Sequence, residues 1–194
     1  MNIHQLHQSD ERRERTATVI RDARPADAPI LWTLSTLPNI GDTADPSMPL
    51  ALPPAAAAPL SFPDLADVQA GFVAVGGAFL VAERSGHVVG MAGFRPDARG
   101  RVEVLRVRVH PAARRLGIGR ALMAGIEARA SAAGFAVAFL DTATNQPEAV
   151  GFYRGLGYAE VGRETRPEWS WTLVYFAKRL PGDLGPGDDQ PLSS

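Results

Sequence analysis

Cysteine is absent from all 194 residues. That one absence excludes disulfide frameworks, zinc fingers, thiolate nucleophiles and cysteine-ligated clusters, and it fits a reducing compartment. Lysine is nearly absent, with Lys178 the one example. Charge of one sign is also lacking: Lys+Arg 20 against Asp+Glu 21 leaves a formal net charge of −1. A generic, strongly basic nucleic-acid binder is therefore not expected. Long hydrophobic runs are missing as well. The longest, Gly71–Ala82, has twelve residues and holds three glycines, whereas a membrane span needs about 20. The first fifteen residues, MNIHQLHQSDERRER, lack the apolar run of a signal peptide. A cytoplasmic protein without a membrane partner is expected.

What is present reads as one globular domain. Hydrophobic residues make up 45% and charged residues 21%, close to ordinary globular usage. Residues 1–15 read as a flexible tail and residues 181–194 as a disordered acidic one, which leaves 16–180 for a single domain. Thr16–Arg24 reads as a strand, and Pro25 or Asp27 starts a helix through Ala28, Ile30, Leu31 and Leu34. A Pro-rich insertion over 36–72 follows, with prolines at 38, 46, 49, 53, 54, 59 and 63 that forbid a long helix or central strand. A spacer and a substrate lid are both open for it. One short helical turn is expected within Pro63–Phe72.

The middle of the chain is strand-rich. Ala78–Arg84 and His87–Arg95 flank Ser85–Gly86, a hairpin signal. Val102–His110 alternates strictly, and Pro111 ends it. Ile118, Leu122, Ile126 and Ala130 recur at helical spacing over Ile118–Ala133, and Gly134 stops that helix. Phe135–Thr142 reads as a buried strand, Pro147–Leu156 as a helix, and Tyr158–Arg163 with Trp171–Arg179 as closing strands. The strand–helix–strand unit 102–142 is the expected parallel element. The fold class is α/β (α+β).

The chemistry concentrates between Val109 and Ile118. Gly117 and Gly119 let a ligand approach the backbone closely, Arg114, Arg115 and Arg120 surround them, and a helix N-terminus points at the same loop. Backbone donors, a helix dipole and guanidinium groups together make a pyrophosphate site. Leu122 stands where a dinucleotide fingerprint needs its third glycine, and no Gly-Lys-Ser/Thr follows. Coenzyme A is the remaining common ligand.

The stretch Val102–Met123, with Arg114-x-x-Gly117-x-Gly119, resembles the acetyl-CoA motif of the GNAT superfamily of N-acetyltransferases. Asn145–Tyr158 is similar to a second segment of that family, and Val19–Pro29 to its first strand and helix. The resemblance implies a mixed, mostly antiparallel sheet of about seven strands flanked by about four helices. It implies acetyl-CoA as co-substrate, no metal, and an amine of a small molecule or peptide as acceptor, attacked directly in a ternary complex. A homodimer through sheet edges is compatible with it. Val107 and Val109 would pair with the pantetheine arm through their main chain. The amides of Arg115, Leu116, Gly117, Ile118, Gly119 and Arg120, together with Arg114, would hold the pyrophosphate. Asn145 would contact the CoA arm.

An alkylamine is protonated at neutral pH, with an ordinary pKa of about 10.4, and must lose a proton before it attacks. Glu103, a lone acid on its strand, is the candidate base, and the alternative is a plain pair with an arginine. Tyr153 is the candidate acid for the leaving thiolate, and the alternative is an aromatic core residue. The Val109 amide would serve an oxyanion if the strand bulges there. His110 reads as a strand-end residue. Trp169 and Trp171 read as edge packing near the acceptor, and Asp42, Asp45, Asp64 and Asp67 as acids able to draw a cation. Two rival functions stay open: a non-catalytic acyl-CoA sensor, and a basic groove for nucleic acid, since eight arginines lie between Arg95 and Arg120.

Overall fold

The alternating middle of the chain folds into antiparallel strands, and later segments extend the same sheet. The computed structural model describes residues 17–40 and 43–181. Both expected tails lie outside this range, apart from Pro181, as do Thr16 and Asp42. The strands are β1 (Thr18–Asp22), β2 (Ala78–Arg84), β3 (His87–Pro96), β4 (Val102–Val109), β5 (Val137–Ala143), β6 (Ala159–Glu164) and β7 (Leu173–Arg179). Their order across the single sheet is β1-β2-β3-β4-β5-β7-β6. Every pairing is antiparallel except β4 with β5.

Helix α1 (Ala28–Thr36) follows a 3-10 turn at Pro25–Asp27, α2 is Ile118–Ala132, and α3 is Pro147–Gly155. The apolar stripe of α2 works as its spacing predicts. Ile118, Leu122, Met123, Ile126 and Ala130 are buried against Leu80, Ala92, Phe94, Val104 and Phe176 on one sheet face. Leu31 and Leu34 of α1 cover the other face with Phe72, Phe79, Val81 and Met91. Each of the larger of these side chains contributes about 1.5–3 kcal/mol when fully buried. No helix among the described residues is long and apolar enough to cross a membrane.

The Pro-rich segment is laid over α1. Thr33 donates to the Pro53 carbonyl at 2.6 Å, Ala55 to Pro29 at 3.0 Å, and the Trp32 indole to Leu65 at 2.7 Å. The segment ends in two short turns rather than the one expected, a 3-10 turn at Pro63–Leu65 and a π turn at Gln69–Val73.

Two departures from regular pairing open the sheet at its centre. The parallel pair β4–β5 registers only at Val102↔Ala138 and Glu103↔Phe139, and beyond those positions the strands part. On the other edge of β4, Gly93 faces Leu105 and Met91 faces Arg108, so Arg106 and Val107 both stand opposite the single Ala92. This is a β-bulge. Arg106 carries it in a left-handed conformation with φ 57°, which is rare for a residue with a side chain. The strict alternation expected for Val102–His110 breaks here, and the bulge falls at Arg106–Val107 rather than at Val109. Val109 itself is registered against Gly90.

Candidate active site

The gap between β4 and β5 forms two joined cavities. The first, about 340 Å3, runs from Val107 to the start of α2. Of the residues expected to hold a cofactor, Val107, Val109, Arg114, Arg115, Gly117, Ile118, Gly119 and Arg120 line it. Leu116 does not; it is 55% exposed. Gly117, at φ 78°, caps α2 in the left-handed region, and Arg115 shares that region at φ 65°. Alternating left-handed positions of this kind turn successive amides toward one point, a nest for anions. The first amides of α2 have no intrahelical acceptor, and the ladder begins with Ala121 donating to Gly117. A Cβ at Gly119 would stand 3.2 Å from the Phe152 ring, so a side chain larger than methyl fills the cavity. The Arg114 guanidinium turns inward as a brace, donating to the Val109 and Pro38 carbonyls at 3.2 and 3.3 Å.

The second cavity, about 390 Å3, opens toward α1 and the β6–β7 loop. Its walls include Phe62, Met91, Leu105, Arg106, Asp141, Asn145, Trp171 and Leu173. The cavities share Asn39, Val107, Arg108, Gln146, Ala149 and Tyr153. Asn39 donates to Gln146 at 3.2 Å and so ties the end of α1 to the approach to α3. Asn145 falls in this second cavity, and its Oδ1 is buried without a donor. A buried carbonyl oxygen of this kind calls for an N–H from a ligand, and the amides of a pantetheine arm fit it.

Tyr153 stands at the junction. It is 8% exposed. Burial pushes its phenol up to about 12, with Arg108 opposing and Asp141 adding to the shift. Glu103 lines neither cavity. It sits where β4 and β5 are still paired, opposite Phe139, and accepts from Arg95 at 3.3 Å. Asp141 lies two residues beyond Phe139 on the same strand face, where the strands have parted, and it borders the second cavity. Its carboxylate keeps contact with water but is crowded by protein. That crowding, and then the charge of Glu103, push its pKa above the ordinary carboxylate value against the pull of Arg106. Sequence reasoning overlooked Asp141. The signal was there, an acid inside the apolar run Phe139–Ala143.

Other acids expected to draw a cation have local partners. Asp64 holds Arg106, whose guanidinium lies 2.9 Å from its carboxylate and stacks on Phe62 at 4.4 Å. Asp67 accepts from the amides of Gln69 and Ala70, and Asp45 from Ser47. His110 is fully buried and accepts from the Ala112 amide at 3.1 Å, a strand-end cap as expected. Trp169 and Trp171 stack at 4.2 Å, and Trp171 forms part of the cavity wall. Among the described residues no group of three or more histidines or acids is placed to hold a metal ion.

A profile of the acetyltransferase (GNAT) family matches residues 48–158. The chain belongs to the GNAT acetyltransferase family. The match spans the later part of the Pro-rich segment, the bulged strand, the glycine loop and α3. An IAA acetyltransferase of Azospirillum brasilense is 44% identical over 85 residues, 43% of this chain and 56% of that protein. N-acetyltransferase family 8 member 2 of Rattus norvegicus is 31% identical over 124 residues, 61% of this chain and 51% of the relative. The chain therefore spans about half the length of the curated relatives it matches. Among solved structures, yncA of Salmonella typhimurium, determined with its cofactor acetyl-CoA, superposes with a TM-score of 0.64 at 22% identity. That alignment covers 89% of this chain and 99% of that one. A GNAT-family acetyltransferase of Staphylococcus aureus superposes with a TM-score of 0.69 at 17% identity, over 85% of this chain and 100% of that one, so the fold is the GNAT fold.

Proposed function

We propose that this protein is an acetyl-CoA-dependent N-acetyltransferase that acts by direct attack with both substrates bound. One observation carries the reading: an anion nest and an acid-lined cavity open from opposite ends of the same inter-strand gap and meet at Tyr153. The family membership and the names of the relatives support it. Acetyl-CoA supplies the acyl group as a thioester. The loop Arg114–Arg120 holds its phosphates, the edge of β4 at Val107 and Val109 receives the arm, and Asn145 accepts from it. Asp141 takes over the base role expected of Glu103. A carboxylate with a raised pKa is the better match for removing a proton from an ammonium group. Glu103 acts on the reaction through Asp141, as the leading charge that raises it. Tyr153 keeps its proton across the working pH range and donates it to the departing thiolate. The amide of Val107, which has no register partner on β3, is the donor for the developing oxyanion.

Two measurements test this. Acetyl-CoA at about 100 times its Kd adds roughly 2.7 kcal/mol to stability, a rise in Tm of several degrees that Gly119→Trp abolishes. Acetyl-CoA must also be turned over with an amine, and Asp141→Asn must lower kcat by about 100-fold or more. An unchanged melt, or a fully active Asp141→Asn, refutes the corresponding assignment.

A further inference from the structure

The cavity beside Asp141 is lined by two opposite charges that have no counter-ion among the described residues. Among the described residues Asp141 makes no ion pair and accepts no side-chain hydrogen bond. Among the described residues Arg108 meets no carboxylate: its Nη1 donates to the Val107 carbonyl at 3.2 Å, and its Nε is buried with no acceptor. The neighbouring Arg106 is different, being neutralised by Asp64 at 2.9 Å. Burial pushes the Arg108 guanidinium below its ordinary pKa, the mark of a cation short of solvent and partners. Arg108 and Asp141 both act on the Tyr153 hydroxyl, with opposite signs, so both lie within electrostatic reach of the point where the cavities meet.

A buried donor without an acceptor is costly, and a ligand that brings an acceptor to the Arg108 Nε would remove that cost. Acetyl-CoA does not supply the missing anion. Its acetyl group, thioester and pantetheine arm are neutral, and its phosphates belong with the loop at Arg114–Arg120. The anion must come with the acceptor. The acceptor must also bring a cationic nitrogen to Asp141 and an apolar body to Phe62, Leu105, Trp171 and Leu173. The volume of about 390 Å3 suits a small molecule.

We infer that the acceptor is a free α-amino acid with a bulky apolar or aromatic side chain, its carboxylate held by Arg108 and its α-ammonium by Asp141. The inference rests on the acetyl-transfer reading above. The α-ammonium gives one proton to Asp141, the nitrogen forms a bond to the acetyl carbon, the thioester C–S bond breaks and the sulfur takes the Tyr153 proton, and the second proton that the acylated nitrogen loses restores the Tyr153 phenol. The products are an N-acetyl amino acid and free CoA thiol. A peptide N-terminus does not fit, because it carries a neutral amide where Arg108 requires an anion.

The test measures thiol release from acetyl-CoA by the full chain with L-phenylalanine, L-phenylalanine amide and phenethylamine, which share the amine and the ring. Free leucine, methionine and tryptophan are run beside them, and the acetyl-CoA melt is recorded in parallel. The expected kcat/KM for phenylalanine exceeds that of the amide and the amine by about 10- to 100-fold, the loss typical of one hydrogen-bonded charge. Arg108→Gln reduces that ratio to within a few-fold while the acetyl-CoA melt shift persists. Equal or better turnover of the amide or the amine overturns the inference and leaves acetyl transfer standing. So does an Arg108→Gln variant that slows all three acceptors alike, since Arg108 then serves the thioester. An acetyl-CoA shift without turnover of any free amino acid also overturns it. Absence of the shift in the unaltered protein removes the acetyl-transfer reading and this inference together.

Discussion

Replacing Asp64 by alanine tests how the central bulge is held. The Arg106 Nε lies 3.1 and 3.0 Å from the two Asp64 oxygens, and Nη2 lies 2.9 Å from one of them. The side chains are 23% and 11% exposed, so water screens the pair little. Hydrogen bonds to charged groups contribute about 1.5–3 kcal/mol net. The Phe62 face remains for the freed guanidinium, which keeps the loss near the lower end, at about 2 kcal/mol. For a domain of this size that is a fall in Tm of about 4–8 °C, read by calorimetry. Arg106→Gly in the same background sharpens the result. Its left-handed φ of 57° costs a residue with a Cβ about 1–3 kcal/mol, and glycine removes that cost, so the double variant recovers part of the loss. The charge also has a kinetic readout. A released Arg106 beside Asp141 lowers that carboxyl further, and the acid limb of kcat/KM moves to lower pH. A Tm change under about 1 °C, or an additive double variant, would refute the idea that Asp64 holds the bulge through Arg106.

Three further outcomes are expected. Glu103→Gln removes the leading charge that raises Asp141; the base then ionises at lower pH, so the acid limb of kcat/KM shifts down while turnover near neutrality is kept, and a collapse of rate at all pH values would return the base role to Glu103. Tyr153→Phe lowers kcat by about 10- to 100-fold, toward the lower end of acid–base effects because a thiolate leaves readily, with the acid limb unmoved; wild-type kcat in this variant would make Tyr153 a packing residue. Burial lowers the pKa of His110, so the unfolded chain takes up a proton near its ordinary pKa of about 6.5 that the folded chain refuses. Stability therefore falls as pH drops from about 7 to 5, and His110→Gln shows a shallower fall in Tm over that window; identical slopes would mean His110 is protonated in the folded state.

Glu103 and Asp141 show where sequence reasoning stops. Both are single acids in apolar strands, and both sit on the same sheet face. Only the register of β4 with β5 separates them: Glu103 belongs to the last paired position, and Asp141 lies past it, where the gap has opened. Arg106 is a similar case. No glycine or asparagine marks its left-handed conformation, because a long-range partner, Asp64, holds it there, 42 residues away along the chain. Arg108 read as one more arginine in a basic stretch, and only the tertiary structure shows that it borders the cavity with a buried Nε that has no acceptor among the described residues.

The sequence by itself determined the local elements of this protein. The stripe of α2, the Ser85–Gly86 hairpin, the glycine loop at its helix N-terminus and the family motif all rest on residues within a turn or two of one another, where propensity and periodicity act. The tertiary structure alone decided the site's chemistry. Which carboxylate lines the cavity, which arginine has a buried nitrogen without an acceptor among the described residues and where the strand bulges depend on the parting of β4 from β5 and on contacts between distant segments. No local pattern encodes those contacts, because the free energies that fix them arise only when the segments meet.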